Sequence, residues 1–194
     1  MMKTLLRIDT SLRVEGSYSR DLGDFFLNEW KKKYPKNKIN YRDFSEVPVP
    51  HLDQATLDCF YNDSKQTDLL TFSDKFISEL FDVDEILITV PMYNFGIPSS
   101  LKAYFDLVIR TEKTFRYNDE AAGLLKNKKA YIISSMGDEK VSTMSLVETH
   151  LQQILHYIGI TELYFLAIDE TSDENLANKK MEMNKIEIIN LLNG

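Results

Sequence analysis

Cysteine occurs once in this 194-residue chain, at Cys59. A single thiol excludes an internal disulfide framework and a cysteine-based zinc cluster, and it suits a reducing cytoplasm. Histidine occurs three times, at His51, His150 and His156, and none stands at a metal-ligand spacing from another ligand type. His150 and His156 are six residues apart, so they do not share one face of a helix. No apolar run approaches membrane-spanning length. The opening Met1-Met2-Lys3-Thr4-Leu5-Leu6 is interrupted by Arg7 and Asp9 before a signal-peptide core can form. Positive charge is in deficit. The 23 Lys and Arg against 30 Asp and Glu leave a net charge of −7, which argues against general nucleic-acid binding. An anionic cofactor is not excluded, because it needs only local donors. The run Lys31-Lys32-Lys33 reads as a solvated helix end that complements the helix dipole. Internal repeats, low-complexity stretches and linkers are absent, so a single domain over residues 1–194 is expected.

What is present alternates between strand and helix. Residues 3–9 read as a first strand and Ser19–Lys33 as a helix with Leu22, Phe25, Phe26 and Trp30 on one face. Residues 38–42 form a short second strand. The loop Asp43–Asp53 follows, in which Pro50 and Leu52 read as packing residues. A helical region fills 55–82, with a break near Asn62-Asp63. Residues 85–90 are a buried third strand, and Ile97, Leu101, Tyr104, Phe105, Val108 and Ile109 recur at helical spacing after it. An excursion, Thr111–Lys128, leads to a fourth strand at Lys129–Ser135. A helix over 142–158 carries Leu146, Leu151, Ile154 and Leu155 as core positions, with Gly159 at its C′ position. A fifth strand, Glu162–Ile168, and a helix over 172–192 complete the chain. Five strands alternating with helical regions predict an α/β fold with a doubly wound, five-stranded parallel sheet in the flavodoxin-like order 2-1-3-4-5. In that order the loops after strands one and three face one crevice, joined by the turn after strand four.

The loop after strand one lacks a Gly-x-Gly-x-x-Gly or Walker pattern, and Gly16 is its only glycine. It carries hydroxyls at Thr10, Ser11, Ser17, Tyr18 and Ser19, has Arg13 within it, and opens a helix. Hydroxyls beside the free N–H groups of a helix start can seat an anion without glycines. The alternative is a serine-rich helix cap. The turn after strand three, Pro91-Met92-Tyr93-Asn94-Phe95-Gly96-Ile97, offers aromatic rings, an amide and backbone N–H groups. That combination suits a planar ligand with a polar edge. Side by side, a phosphate seat and a ring seat describe how a flavin mononucleotide would lie. No Ser-His-Asp set, paired carboxylates or metal cluster stands out, so no catalytic side chain is assigned.

Met92-Tyr93-Asn94-Phe95, followed by Leu101-Lys102-x-Tyr104-Phe105-Asp106, resembles the signature of the FMN-dependent NADH-azoreductases, which are flavodoxin-like quinone and azo reductases. The similarity continues in Ser11, Ser17-x-Ser19, Asp43, Pro48-x-Pro50-x-Leu52-Asp53, Thr114-Phe115-Arg116-Tyr117, Gly123-Leu124 and Gly159-Ile160-Thr161. It therefore runs through nearly the whole chain. The resemblance implies that Ser11, Ser17, Tyr18 and Ser19 contact the FMN phosphate and ribityl chain. It implies that Pro91, Met92, Tyr93, Asn94 and Phe95 grip the ring, and that Ser135, Met136, Gly137 and Asp138 form a third edge. It further implies substrate contacts from Phe115, Tyr117 and Tyr157, the last from a second subunit of a homodimer with its active site at the interface. The implied activity is ping-pong, two-electron hydride transfer from NADH through FMN to small-molecule quinones and azo compounds. The implied setting is cytoplasmic, with no membrane or nucleic-acid partner.

The third loop departs from relatives that often carry Arg-Gly-Gly where this chain has Met136-Gly137-Asp138. A carboxylate there is expected to lower the flavin potential. Two other activities compete with the oxidoreductase reading. A flavodoxin-like electron carrier would suit the acidic charge, but the Thr111–Lys128 excursion and the Met92–Phe95 turn speak against it. A phosphodiester hydrolase needs a metal or nucleophile set that the sequence does not supply.

Overall fold

The computed structural model describes residues 2–62, 66–118, 120–140 and 144–194. In chain order the elements are β1 (Lys3–Asp9), α1 (Tyr18–Lys33), β2 (Asn37–Asp43), α2 (Gln54–Phe60), α3 (Asp68–Asp82), β3 (Glu85–Pro91) and α4 (Ser99–Val108). Then follow β4 (Phe115–Asn118), β5 (Glu120–Gly123), β6 (Lys129–Ser135), α5 (Leu146–Tyr157), β7 (Glu162–Ile168) and α6 (Glu174–Asn193). Five strands form one parallel sheet in the order β2-β1-β3-β6-β7, and β4 and β5 pair separately as an antiparallel hairpin. The expected 2-1-3-4-5 order thus becomes 2-1-3-6-7 once the two hairpin strands are counted.

Successive strand residues point to opposite faces, and the chain uses both. Leu6, Ile8, Ile86, Ile88, Val90 and Ile132 face α3, α4 and α5, where they meet Phe76, Leu101, Tyr104, Phe105, Leu151 and Leu155. Leu5, Leu87, Tyr131, Ile133 and Ile168 face α1 and α6, meeting Leu22, Phe26, Trp30 and Ile188. All seven residues of β3 are buried, as its central place in the sheet requires. Each fully buried Leu, Ile or Phe side chain contributes roughly 1.5–3 kcal/mol, so these two layers are the main source of stability.

Several expectations shift. The helical region at 55–82 is two helices, with Asp53 capping α2 and Thr67 capping α3; Asn62 follows α2 as the last described residue before the break, and Asp63 lies outside the described residues. The helical spacing after the third strand includes Ile109, but α4 ends at Val108 and Ile109 is its C-cap. The helix expected from 142 begins at Leu146, where Ser145 and Glu148 close a reciprocal capping box; residues 142 and 143 lie outside the described residues. Leu146 is exposed, because the first residue after the cap points away from the sheet, and Val147 takes the core position. In the proline loop Leu52 packs on the core, but Pro50 is exposed and Val49 is buried in its place. Gly159 does sit past the end of α5 with φ +103°. The N–H groups of Gly159 and Ile160 bond the carbonyls of His156 and Leu155, the Schellman arrangement.

Strand register sets the site. Asp9 lies beside Thr89, Pro91 beside Ser135, and Ser135 beside Ile168. Strands β3, β6 and β7 therefore end level, with β1 ending two residues earlier, and the loops that leave them share one edge of the sheet.

Candidate functional site

At that edge is a cleft of about 190 Å³ lined by residues from four loops. Ser11, Arg13, Gly16 and Ser17 come from the loop after β1, Tyr18 starts α1, Pro91 ends β3, and Met92 and Tyr93 come from the loop after it. Ser135 ends β6, with Met136 and Gly137 after it, and Thr171 follows β7. Backbone and hydroxyl bonds stitch these loops together. The N–H of Leu12 donates to the Tyr93 hydroxyl at 3.2 Å. The N–H of Met92 donates to the Ser135 carbonyl at 2.7 Å. The N–H and hydroxyl of Thr171 both donate to the Met136 carbonyl, at 3.1 and 3.0 Å.

One end of the cleft is the start of α1. The helices α2, α3, α5 and α6 are capped by their own N-cap side chains, Asp53, Thr67, Ser145 and Asp173. The N-cap residue Ser17 makes no such bond. Its hydroxyl meets only that of Ser19, at 3.4 Å, although both residues are buried. Helix α1 therefore keeps its first N–H groups free for an acceptor, which a bound anion supplies, with the paired Ser17 and Ser19 hydroxyls beside them. Ser11 adds a third hydroxyl, held by the N–H of Arg13 at 3.2 Å.

The other end is a tight turn. Tyr93 and Gly96 exchange two backbone bonds of 3.0 Å, which leaves Asn94 and Phe95 as the two central residues, at φ +48° and +64°. Two successive positive φ values define a type I′ turn, whose second central position strongly favours glycine. A phenylalanine there is strained, and its side chain is 73% exposed. No partner for the N–H of Asn94 or Phe95 is found among the described residues. Asn94 and Phe95 stand at the rim, not among the cleft-lining residues.

The remaining expected residues are placed differently. Ser19 lies beneath the cleft, fully buried. Asp138 is exposed and outside the lining, and its carbonyl accepts from the N–H of Glu170 at 3.2 Å. Phe115, Tyr117 and Tyr157 come together, but none lines the cleft of its own chain. Tyr117 and Tyr157 join their hydroxyls at 3.2 Å, and Phe115 is buried with its ring 4.7 Å from that of Tyr157. The Tyr117 bond, with some burial, pushes the Tyr157 phenol up to about 12. Among the described residues no group of His, Cys, Asp and Glu could hold a metal.

Sequence reasoning passed over two features. Thr171 follows the carboxyl end of β7, so the strand's end was its signal. Beneath the first loop lies a buried charge cluster. Asp9 accepts from the Thr89 hydroxyl at 2.7 Å, the Tyr41 hydroxyl at 2.6 Å and Arg7 Nε at 3.0 Å. Arg20 grips Asp43 with two bonds of 2.5 and 2.8 Å. Burial pushes the Asp43 carboxyl up, but bonds from Arg20 and Ser45 outweigh it and hold the group well below the usual carboxylate range. A charged residue such as Asp9 inside an apolar strand was the legible clue.

A family model described as a flavodoxin-like fold matches residues 2–191. A curated FMN-dependent NADH:quinone oxidoreductase of Hydrogenovibrio crunogenus is 38% identical over 202 residues, covering 98% of this chain and 100% of that protein. Among solved structures, an azoreductase from Bacillus anthracis str. Sterne matches with a TM-score of 0.88 at 19% identity, over 98% of this chain and 99% of that one. An FMN-dependent NADH-azoreductase from Bacillus anthracis str. Ames Ancestor, solved in complex with FMN, matches with a TM-score of 0.85 at 19% identity, over 97% and 99% of the two chains. These two likenesses are of fold. The full-length kinship in sequence goes further: this chain belongs to the flavodoxin-like family that contains the FMN-dependent NADH:quinone oxidoreductases.

Proposed function

We propose that this chain is an FMN-dependent NADH:quinone oxidoreductase that also reduces azo compounds. The observation that carries the reading is the cleft itself. An uncapped helix start with buried, mutually paired serine hydroxyls stands at one end, and a strained aromatic turn with open N–H groups at the other. Those two ends fit the phosphate and the ring edge of FMN. The curated relatives, named for this activity, support it.

Bound FMN would supply two-electron chemistry, accepting hydride from NADH and passing it to a second substrate. The chain's part is to bind and orient. Ser11, Ser17, Tyr18 and the N–H groups of α1 hold the phosphate and ribityl end, with Ser19 behind them paired to Ser17. Pro91, Met92 and Tyr93 lie along the ring, and the free N–H groups of Asn94 and Phe95 stabilise negative charge at its edge. Ser135, Met136 and Gly137 close the third side, with Asp138 beyond them. Tyr117 and Tyr157, backed by buried Phe115, reach the substrate space from the second subunit of a homodimer. Exposed Leu12, Val14 and Phe95 around the cleft favour such an interface, since large apolar groups clustered at a rim mark association surfaces. One domain over 1–194 and a cytoplasmic setting complete the reading; the family match over 2–191 and the lone cysteine support them.

The test is a spectrum followed by an assay. Purified protein should show flavin absorption, release FMN on denaturation, and oxidise NADH with a small quinone. Protein that takes up FMN but oxidises no NADH without a reductase is an electron carrier, and colourless protein that refuses added FMN removes the reading.

A further inference from the structure

We propose that Arg20 is a positioning residue for the phosphate end of the cleft, acting through the carbonyl of Ser11 and clamped for that task by Asp43 and Asp9. The proposal rests on the reading that the cleft takes FMN. A loop that seats an anion must offer N–H and O–H groups and turn its carbonyl oxygens elsewhere. Ser11 shows this division. The residue lines the cleft, while its carbonyl accepts from Arg20 Nη2 at 2.6 Å. Arg20 itself is buried and does not line the cleft, so it does not contact a ligand there. It ties down the one group in Ser11 that would repel a phosphate.

The clamp is built for orientation. Arg20 Nη1 donates to Asp43 Oδ2 at 2.5 Å and to Asp9 Oδ2 at 3.4 Å. Nη2 donates to Asp43 Oδ1 at 2.8 Å and to the Ser45 hydroxyl at 3.1 Å. This paired contact fixes the plane of the guanidinium, and a lysine ammonium, a point charge, cannot reproduce it. Asp9 is in turn held by Thr89, Tyr41 and Arg7, which join the clamp to β2 and β3. Arg20 also lies in the first turn of α1, directly after Ser17, Tyr18 and Ser19. One side chain therefore locks the loop before the helix against the helix start that shares its cleft.

Charge points the same way. Arg7 and Arg20 balance Asp9 and Asp43 within the buried cluster. Without Arg20, two buried carboxylates face one guanidinium beneath the seat of an anion, and the Ser11 carbonyl is free to turn toward it.

Riboflavin lacks the phosphate and provides the discriminating probe. Binding of FMN and of riboflavin should be measured by flavin fluorescence for wild type, R20M, R20K and R20M/D43N, beside the urea stability of each apoprotein. In R20M the ratio of FMN to riboflavin affinity should fall about tenfold to a hundredfold, the worth of a charge-assisted hydrogen bond, while riboflavin affinity changes little. R20K should recover only part of the ratio, because it restores charge without the fork. R20M/D43N, with charge rebalanced, should stay weak. The ratio is indifferent to a general loss of stability, and R20K supplies the reading if R20M does not fold. An unchanged ratio in R20M, or in R20K where only R20K folds, overturns the proposal alone, as does full recovery in R20M/D43N. Wild-type protein that binds neither flavin overturns the FMN reading and this proposal together.

Discussion

The backbone N–H of Leu12 donates to the hydroxyl of Tyr93 at 3.2 Å, across 81 residues of chain. It joins the loop that ends in the start of α1 to the loop that carries the aromatic turn. The two ends of the cleft thus have a fixed separation before any ligand arrives. Tyr93→Phe removes this tie and nothing else from the ring's side. The bond is solvent-exposed, so its net worth is about 0.5–1 kcal/mol and the variant should bind FMN roughly two- to fivefold more weakly. Unfolding temperature should hardly move. A fluorescence titration checks the first expectation and a thermal melt the second; an unchanged affinity would show that the tie is decorative.

Phe95 at φ +64° predicts a trade between stability and binding. Glycine at the second central position of a type I′ turn relieves the strain, so Phe95→Gly should stabilise the apoprotein by about 0.5–1 kcal/mol. It should also weaken flavin binding, because a strained, exposed aromatic at a cleft rim persists for what it touches. Urea unfolding of the apoprotein and an FMN titration measure the two effects. Loss of stability in Phe95→Gly would mean that the ring packs usefully in the free chain.

Gly23 sits in α1 where the helix crosses the buried charge cluster. A Cβ there would stand 2.6 Å from Thr89 Cγ2 and 3.3 Å from Arg7 Nη2. Helix propensity favours alanine over glycine, yet the collision decides the sign. Gly23→Ala should cost about 1–3 kcal/mol, the usual range for overpacking, and should disturb the Thr89–Asp9 bond. Trp30, fully buried and the sole tryptophan, reports unfolding by its emission shift. A variant as stable as wild type would refute the tight crossing.

Much of this site is readable from the amino acids in order, and the unreadable part has a common cause. Strand, turn and helix around Met92–Phe95 are legible because apolar β-branched residues and helical spacing are local signals. The hairpin at Phe115–Gly123 is not. Its second strand, Glu120-Ala121-Ala122-Gly123, has no β-branched or aromatic residue, and Gly123 lies so close to Ile158 and Gly159 that a side chain would strike their backbone. That strand is held by tertiary packing, which no local pattern announces. The Arg20–Asp43 clamp joins residues 23 apart, and the Tyr117–Tyr157 pair residues 40 apart. Such pairings exist only once the sheet order brings them together.

The Tyr117–Tyr157 bond gives a pH signature. Because the Tyr157 phenol is pushed up to about 12 from an ordinary value near 10, its neutral form is favoured in the folded chain. The contribution to stability is complete below about pH 10 and fades as pH rises toward 12. Tyr117→Phe should bring the Tyr157 titration down, seen as earlier tyrosinate absorption, and should flatten the alkaline loss of stability. Identical titrations in wild type and Tyr117→Phe would exclude the bond in solution.

Asp138 tests how far a surface charge reaches the cleft. The sequence expectation is that this carboxylate lowers the flavin potential, since negative charge disfavours an electron-rich ring. The residue is exposed and does not line the cleft, so water screens it. An exposed charge is worth less than about 1 kcal/mol, which for a two-electron couple is less than about 20 mV. Asp138→Gly should therefore raise the potential of the bound flavin by a shift inside that bound, and added salt should shrink it further. The potential is measured by reduction against a reference dye at low and high ionic strength. A larger, salt-independent rise would place the carboxylate against the ring, carried there by the pairing of two subunits. No rise at either ionic strength would remove Asp138 from the electrostatics of the site.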